Sequence, residues 1–366
     1  MYHLLHCIHI KLFTGLSMTS RLFSLTRELS IRTMLFTVVV LVAFAGRPCR
    51  AEPLAITPFH TFNQSPLVQI YGLPAAESAV VQPSGKGWTL VAVDVANSYL
   101  KRETTREALL LDGEGERITL ALRYGVGRSL ELGVDVPFVA YNGGIFDGFI
   151  EDWHEFFGLP QGQRPNAPKG QLRFAYAKDG RQRLEMDQAG LGIGDLRFTG
   201  GWQLYHDGGE NPVALALRGS LKAPTGSSSR LTGSGSTDLA LWLTGSSDYA
   251  LPGKWGHAAV FAAAGGLAMS DGQVLKEQRR NLVGFGTLGS GWSPADSFAL
   301  KAQLSGHSAF YRDSEFSELN SGGMQLIFGG TVALSSRTTL DIALSEDVIV
   351  GASPDVALHL GLGHQF

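Results

Sequence analysis

The sequence predicts an all-β chain, a transmembrane antiparallel up-and-down β-barrel of about twelve strands, with about ten to fourteen as the range the pattern allows. Three observations predict it. An export leader precedes the body of the chain. Period-two alternation of apolar and polar residues recurs in segments near the ~10 residues of a tilted membrane strand. The last of these segments ends on an aromatic, Phe366. A charged fraction of 17% and 46 glycines in 366 residues weigh against a helical soluble enzyme.

The leader comes first in the chain. Arg21, Arg27 and Arg32 precede the apolar run Met34–Gly46, and Pro48, Cys49, Arg50 and Ala51 follow it. Basic, apolar and small residues in that order are the pattern of a secretory signal peptide, which assigns residues 1–51 to the leader, with cleavage between Ala51 and Glu52. Met18 and Met34 are alternative starts. Both cysteines, Cys7 and Cys49, precede the cut, so the mature chain needs no disulfide, redox cysteine or thiolate metal site. Taking the leader's six basic residues and one acid from totals of 30 and 33 leaves 24 basic and 32 acidic residues, a formal net charge of about −8. An acidic exported protein offers no electrostatic footprint to nucleic acid.

Residues 52–87 lack periodicity and carry Pro53, Pro58, Pro66, Pro74 and Pro83. Prolines this dense do not build central strands, and the stretch is too apolar for a solvated linker. It is expected to act as a plug inside the barrel or as a strap beneath it.

Residues 88–366 are the expected barrel. Val91, Val93 and Val95 alternate with Ala92, Asp94 and Ala96; Ile118, Leu120, Leu122 and Tyr124 with Arg117, Thr119, Ala121 and Arg123. After the turn Gly125–Arg128 come Leu130, Leu132, Val134, Val136 and Phe138 against Ser129, Glu131, Gly133 and Asp135. Leu196, Phe198 and Trp202 oppose Asp195, Arg197 and Thr199; Val213, Leu215 and Leu217 oppose Arg218, Ser220 and Lys222; Leu239, Leu241 and Leu243 oppose Asp238, Trp242 and Thr244. Residues 256–269 and 281–292 are rich in Ala and Gly. Phe298 to Leu304 alternate with Lys301, Gln303, Ser305 and His307, followed by segments around Met324–Phe328, Leu340–Leu344 and Asp355–Phe366. Short and long connections alternate, which puts the short turns in the periplasm and the long ones outside.

On this pattern the leucines meet lipid, and the charged residues line the lumen: Arg117, Arg123, Glu131, Asp135, Asp195, Arg197, Arg218, Lys222, Asp238, Lys301 and Asp341. Their signs are mixed, which predicts weak long-range ion selectivity. The final strand, with Leu360, Leu362, His364 and Phe366 on one face, resembles the closing strand of bacterial outer-membrane barrels, which the assembly machinery reads. Outer-membrane lipids and that machinery are the expected partners, together with a small solute.

The residues also carry a family likeness. NQSPLVQIYGLPAAESA (63–79), DVANSY (94–99), LLLDGE (109–114), the block DVPFVAYNGGIFDGFIEDWHEFFGLPQGQRPNAP (135–168), LGIGDLRF (191–198) and LKAPTG (221–226) resemble the bacterial domain-of-unknown-function family 3187. The resemblance implies an outer-membrane barrel in the bacterial envelope. It implies no activity, and no functional residues carry over from it.

The long loop 140–191 is the most individual stretch. At 100° per residue, Phe146, Phe149, Ile150, Trp153, Phe156 and Phe157 share one face of a short helix and Asp147, Glu151, His154 and Glu155 the other. The candidate pore or lid residues are therefore Asp147, Glu151, Trp153, His154 and Glu155. Glu151 and His154 have the E-x-x-H spacing of di-iron bundles, but the motif occurs once where those sites need two copies and further glutamates. No metal or cofactor is expected. Ser305, His307 and Ser308 raise a lipid-hydrolase alternative. Residues i and i+2 on one strand lie ~7 Å apart, however, too far for a hydroxyl to meet an imidazole unaided. His359 and Asp341 are expected as cross-strand neighbours. The leading expectation is a passive channel or small-solute transporter without covalent chemistry. A structural or binding barrel without a through-pore is the second, and the hydrolase the third.

Overall fold

A computed structural model of the chain describes residues 53–144, 170–349, 353–354 and 356–366. The leader, the cleavage pair Ala51 and Glu52, and the lid residues Asp147, Glu151, Trp153, His154 and Glu155 lie outside the described residues.

Among the described residues the strands are β1 (Gly87–Glu103), β2 (Glu107–Gly125), β3 (Leu130–Asn142), β4 (Arg173–Lys178), β5 (Arg181–Met186), β6 (Gly190–Ile193), β7 (Arg197–Asp207), β8 (Val213–Lys222), β9 (Asp238–Ala250), β10 (His257–Met269), β11 (Leu282–Ala295), β12 (Phe298–His307), β13 (Gly323–Ala333), β14 (Thr338–Asp347) and β15 (Val356–Gln365). A single turn of helix, α1 (Ser317–Asn320), precedes β13. Strands β1, β2, β3 and β7 to β15 form a closed antiparallel barrel of twelve. Each pairs with the next, and β15 returns to β1 from Trp88↔Gln365 to Asn97↔Val356. Closure leaves no sheet edge, so every strand satisfies its backbone within the ring.

Side chains sort as membrane burial requires. On β2, Ile118, Leu120, Leu122 and Tyr124 point outward and exposed, while Arg117, Thr119, Ala121 and Arg123 are buried inside. On β9, Leu239, Leu241 and Leu243 are outside, and Asp238, Ala240, Trp242 and Thr244 inside. Apolar-out and charged-in is the reverse of a soluble sandwich and matches a lipid surround. A bulge on β7 skips Leu204 between Gln203 and Tyr205, which turns both Leu204 and Tyr205 outward.

The five connections 126–129, 208–212, 251–256, 296–297 and 334–337 are short and share one rim. The opposite rim carries the longer ones, apart from the three-residue turn 104–106 between β1 and β2. There the structure departs from a loop running over 140–191. Strand β3 continues to Asn142, β6 extends the wall beside it, and β4–β5 form a hairpin paired to β2 from Glu107↔Lys178 to Asp112↔Arg173. The hairpin turn is Asp179-Gly180, both at positive φ (50° and 72°), the Asp-Gly signature of a two-residue turn. It rests on β1 and β2, whose 17 and 19 residues outrun a membrane strand.

The seam between β15 and β1 is tight. Phe366 and Gly87 exchange backbone hydrogen bonds of 2.9 and 3.0 Å. A Cβ on Gly87 would overlap the Phe366 ring. On the same strand Leu362 and His364 are exposed and Leu360 is half-buried. Phe366→Ser removes a half-buried ring contact of about 1 kcal/mol. After refolding, the heat-modifiable folded fraction of this variant is expected to fall about fivefold relative to wild type, with an unchanged yield contradicting the seam's contribution.

Candidate functional site

The site is the barrel interior and the chain segment 53–83 within it. Its prolines deny it a place in any ladder, yet buried backbone groups need partners. The inward side chains of the wall supply them. Phe59 N donates to Gln303 Oε1 at 2.9 Å, Gly72 N to Asp238 Oδ2 at 2.8 Å, Val81 N to Gln203 Oε1 at 2.9 Å and Gln82 N to Glu131 Oε2 at 2.7 Å. The carbonyls of Thr57, Leu73, Ser78 and Ala79 accept from Lys301, Arg197, Arg218 and Gln203.

These partners trace an ascending arm, a turn and a descending arm. The ascending arm, 53–63, starts near the short-turn rim and follows β11 to β15 and β1. Leu54 and Ile56 pack with Ala259, Phe261 and Ala299. Phe59 packs with Ile327 and Ala343, with Lys301 Nζ 3.9 Å from its ring centroid. Thr61 Oγ1 donates to Asp94 at 2.7 Å, and Asn63 Nδ2 reaches His307 Nε2 at 2.9 Å. Among the described residues this arm meets the wall through hydrogen bonds, two of them to the charged Lys301 and Asp94, through apolar packing and through cation–π contacts, and makes no ion pair.

The turn, 65–71, is built on Asn63 Oδ1 accepting from Ser65 N and on Val68 and Gln69 N–H groups reaching the Ser65 carbonyl. Leu67, Ile70 and Tyr71 join an apolar core with Leu109, Phe174 and Tyr176 of the extended strands and Leu275, Phe310 and Leu319 of the long connections. Tyr71 stacks on Phe310 at 5.1 Å, and Tyr311 Oη donates to Leu67 O at 2.8 Å. Burial pushes the Tyr71 and Tyr311 phenols well up, so both stay hydrogen-bond donors.

The descending arm, 72–83, carries the ionic anchor. Arg123 Nη2 donates to Glu77 Oε1 and Arg218 Nη1 to Glu77 Oε2, each at 2.5 Å. Arg218 also holds Glu131 at 2.8 Å, and Arg123 holds Asp135 at 2.6 Å. Thus β2, β3 and β8 converge on one carboxylate of the segment. Burial pushes that carboxyl up, but the two guanidiniums outweigh it and hold it well below the usual 4.5. Glu77 is the one acid in 53–83, and pattern reading missed it because the stretch has no period. A lone carboxylate in an uncharged segment facing an arginine-bearing wall was the available signal.

The other lumen-lining candidates are also buried, except Asp341, which is partly buried. Lys222 pairs with Asp195 at 2.5 Å and Asp238 at 3.3 Å, beneath Ser234 and Ser236 of the connection after β8. Lys301 pairs with Asp341 at 3.1 Å. Arg117 and Arg197 flank the Phe62 ring at 5.1 and 5.6 Å. Between the arms, a cavity of about 650 Å³ opens at the short-turn rim; its walls include Ile56, His60, Glu77, Val80, Trp88 and Ala333.

The family profile described as "Protein of unknown function (DUF3187)" matches residues 31–366. This chain belongs to that family. None of the proteins of curated function matches it. Among solved structures, an outer-membrane channel from Pseudomonas putida F1 is similar at 15% identity, covering 78% of this chain and 97% of its own, with a TM-score of 0.49. The CymD monoaromatic hydrocarbon channel is similar at 12% identity over 85% and 94% of the two chains, TM-score 0.35. The toluene transporter TbuX of Ralstonia pickettii is similar at 9% over 78% and 90%, TM-score 0.31.

In this DUF3187 chain, Ser305, His307 and Ser308 are not arranged as nucleophile and base. The His307 ring meets Asn63 and the Ser308 carbonyl at 2.9 Å each. Ser305 Oγ meets Thr287 and Gln303 at 3.1 Å, and Ser308 Oγ accepts from Gly284 N. The expected His359–Asp341 pairing is corrected: register sets His359 opposite Ala343 on β14 and opposite Asp94 on β1, and it bonds Asp94 at 2.8 Å. Among the described residues no group of three or more His, Cys, Asp or Glu could hold a metal ion.

Glu77→Gln removes the charge that both guanidiniums share but leaves each its wall carboxylate, Asp135 or Glu131, a loss of about 1.5–3 kcal/mol. In hydrogen exchange, the Val81 and Gln82 amides of this DUF3187 variant are expected to exchange at least about tenfold faster than wild type while the strands keep their protection. Because the Glu77 pKa is depressed in the fold, the ionic contribution is fully present above the usual 4.5 and is lost only as pH falls below it toward the depressed value. Wild-type protection, corrected for intrinsic rates, should therefore hold from neutral pH to that point. A variant that exchanges like wild type contradicts the clamp.

Proposed function

We propose that the protein is an outer-membrane channel for small solutes, without covalent chemistry, whose segment 53–83 is a resident gate. The observation that carries this is the unequal anchoring of the two arms: the one ion-paired side chain is on the descending arm. The ascending arm is held by hydrogen bonds, none of them between two charges: about 1 kcal/mol each between neutral groups and about 1.5–3 kcal/mol where Lys301 or Asp94 takes part. The Glu77 clamp instead sets a full charge against two guanidiniums at once.

Covalent continuity into β1 also ties the descending arm to the short-turn rim, which we assign to the periplasm. In this reading the ascending arm swings out through the periplasmic mouth and opens a path beside β12 to β15, while the descending arm stays. The inward charges bind one another and the segment, so solute choice rests on size and polarity. The exposed leucine belt meets outer-membrane lipid, and β15 meets the assembly machinery.

Planar-bilayer recording on refolded mature protein tests this. Wild type should be mostly closed, a variant lacking 53–63 should give a steady small conductance, and one lacking 53–83 a larger one. Silence in all three, with the barrels folded, would favour a binding barrel without a through-pore.

A further inference from the structure

The cavity between the arms has the size of a ligand site, since about 650 Å³ falls within the ~300–1,000 Å³ of small-molecule pockets. It opens at the short-turn rim, where Lys86, Asp296 and Arg337 are solvated. Deeper in, Glu77 and Glu131 are bonded to the arginines and Asp341 to Lys301 at 3.1 Å; nearer the rim Asp248 is bonded to His257 at 2.8 Å. An ionic ligand would have to displace one of these partners and would lose its hydration.

Two polar groups on the wall have no such commitment. The Trp88 indole N–H and the His60 imidazole make no hydrogen bond to any described residue, and their rings meet edge to face at 5.9 Å and 70°. Both side chains are partly buried, and both line the cavity. Burial lowers the His60 pKa below its ordinary value, which keeps the ring neutral and able both to donate and to accept. Leu54, Ile56, Val80 and Ala333 make the remaining wall apolar.

We infer that this cavity binds a neutral, ring-bearing small molecule with one hydroxyl-like group, taken from the short-turn side, its ring against Trp88 and its polar group bonded to Trp88 Nε1 and His60. His60 belongs to the ascending arm and Trp88 to β1, so an occupant bridges the mobile arm and the wall. Its effect on gating rests on the channel reading; its binding does not.

The test is calorimetric titration of the folded mature protein in detergent micelles with phenol, benzoate and benzylamine, corrected for micelle partition. Phenol should bind one saturable site, with the anion and the cation at least about tenfold weaker. The His60→Phe/Trp88→Phe variant keeps two rings but removes both hydrogen-bonding edges, and should weaken phenol about tenfold or more, each single change contributing part. Heat-modifiability on gels verifies that each variant is folded. The inference is overturned if a folded wild-type barrel shows no saturable phenol binding, if benzoate or benzylamine binds as well as phenol, or if the double variant binds phenol like wild type. Phenol binding without any conductance would sink the channel and leave this site standing.

Discussion

A backbone without a ladder has to be satisfied by side chains, and the interior of this barrel is organised around that constraint. The twelve strands close on themselves and need nothing from inside. The proline-bearing segment 53–83 has no such solution, so Gln303, Asp238, Gln203 and Glu131 accept its N–H groups while Lys301, Arg197 and Arg218 donate to its carbonyls. Many of the inward polar residues thus do two things at once. They keep the wall hydrated or paired, and they define a track that one particular chain segment can follow. Removing the segment would leave a polar lumen that water can fill, so the barrel and its contents are separable in a way that a soluble core is not.

The same constraint accounts for the unequal arms. Phe59, Thr61 and Asn63 meet the wall through hydrogen bonds and ring contacts that involve no pair of opposite charges. Glu77 brings a full charge into a dry site and draws Arg123, Arg218, Glu131 and Asp135 into one network. In this network each guanidinium has its own wall carboxylate, and Glu77 is the group that both share. At the turn, the core around Tyr71 and Phe310 seals the long-loop end with ordinary apolar packing. Charge anchors one arm, apolar packing holds the turn, and the weakly held arm lies beside the cavity.

Much of the architecture was legible because lipid enforces period two. A residue such as Leu241 or Arg218 can face only one way, so alternation over about ten residues locates each strand. Where lipid ends, the rule ends. In the extensions of β1 and β2 and in the β4–β5 hairpin, Lys101, Glu103, Arg181 and Glu185 are exposed, while Asp112 and Glu114, on the outward face of β2, are buried. Asp179-Gly180 was the local clue to that hairpin. The candidate site was legible in half. The inward charges follow from alternation, but their partners depend on register and on a segment without period. Hence Glu77, Gln203, Gln303 and the free edges of His60 and Trp88 emerge only in three dimensions, as does the pairing of His359 with Asp94.

Residues 53–366 contain no cysteine, which permits a direct measurement of which arm moves. A Cβ on Gly291 would lie 2.5 Å from Ile56 Cγ2 on the ascending arm, and a Cβ on Gly201 would lie 3.2 Å from Val81 Cγ1 on the descending arm. Both pairs are close enough to bridge with a disulfide. In single-channel recordings, the Ile56→Cys/Gly291→Cys protein should be silent when oxidised and recover its openings on reduction, while Val81→Cys/Gly201→Cys should open alike in both states. Openings that persist through the oxidised ascending-arm staple would contradict the account.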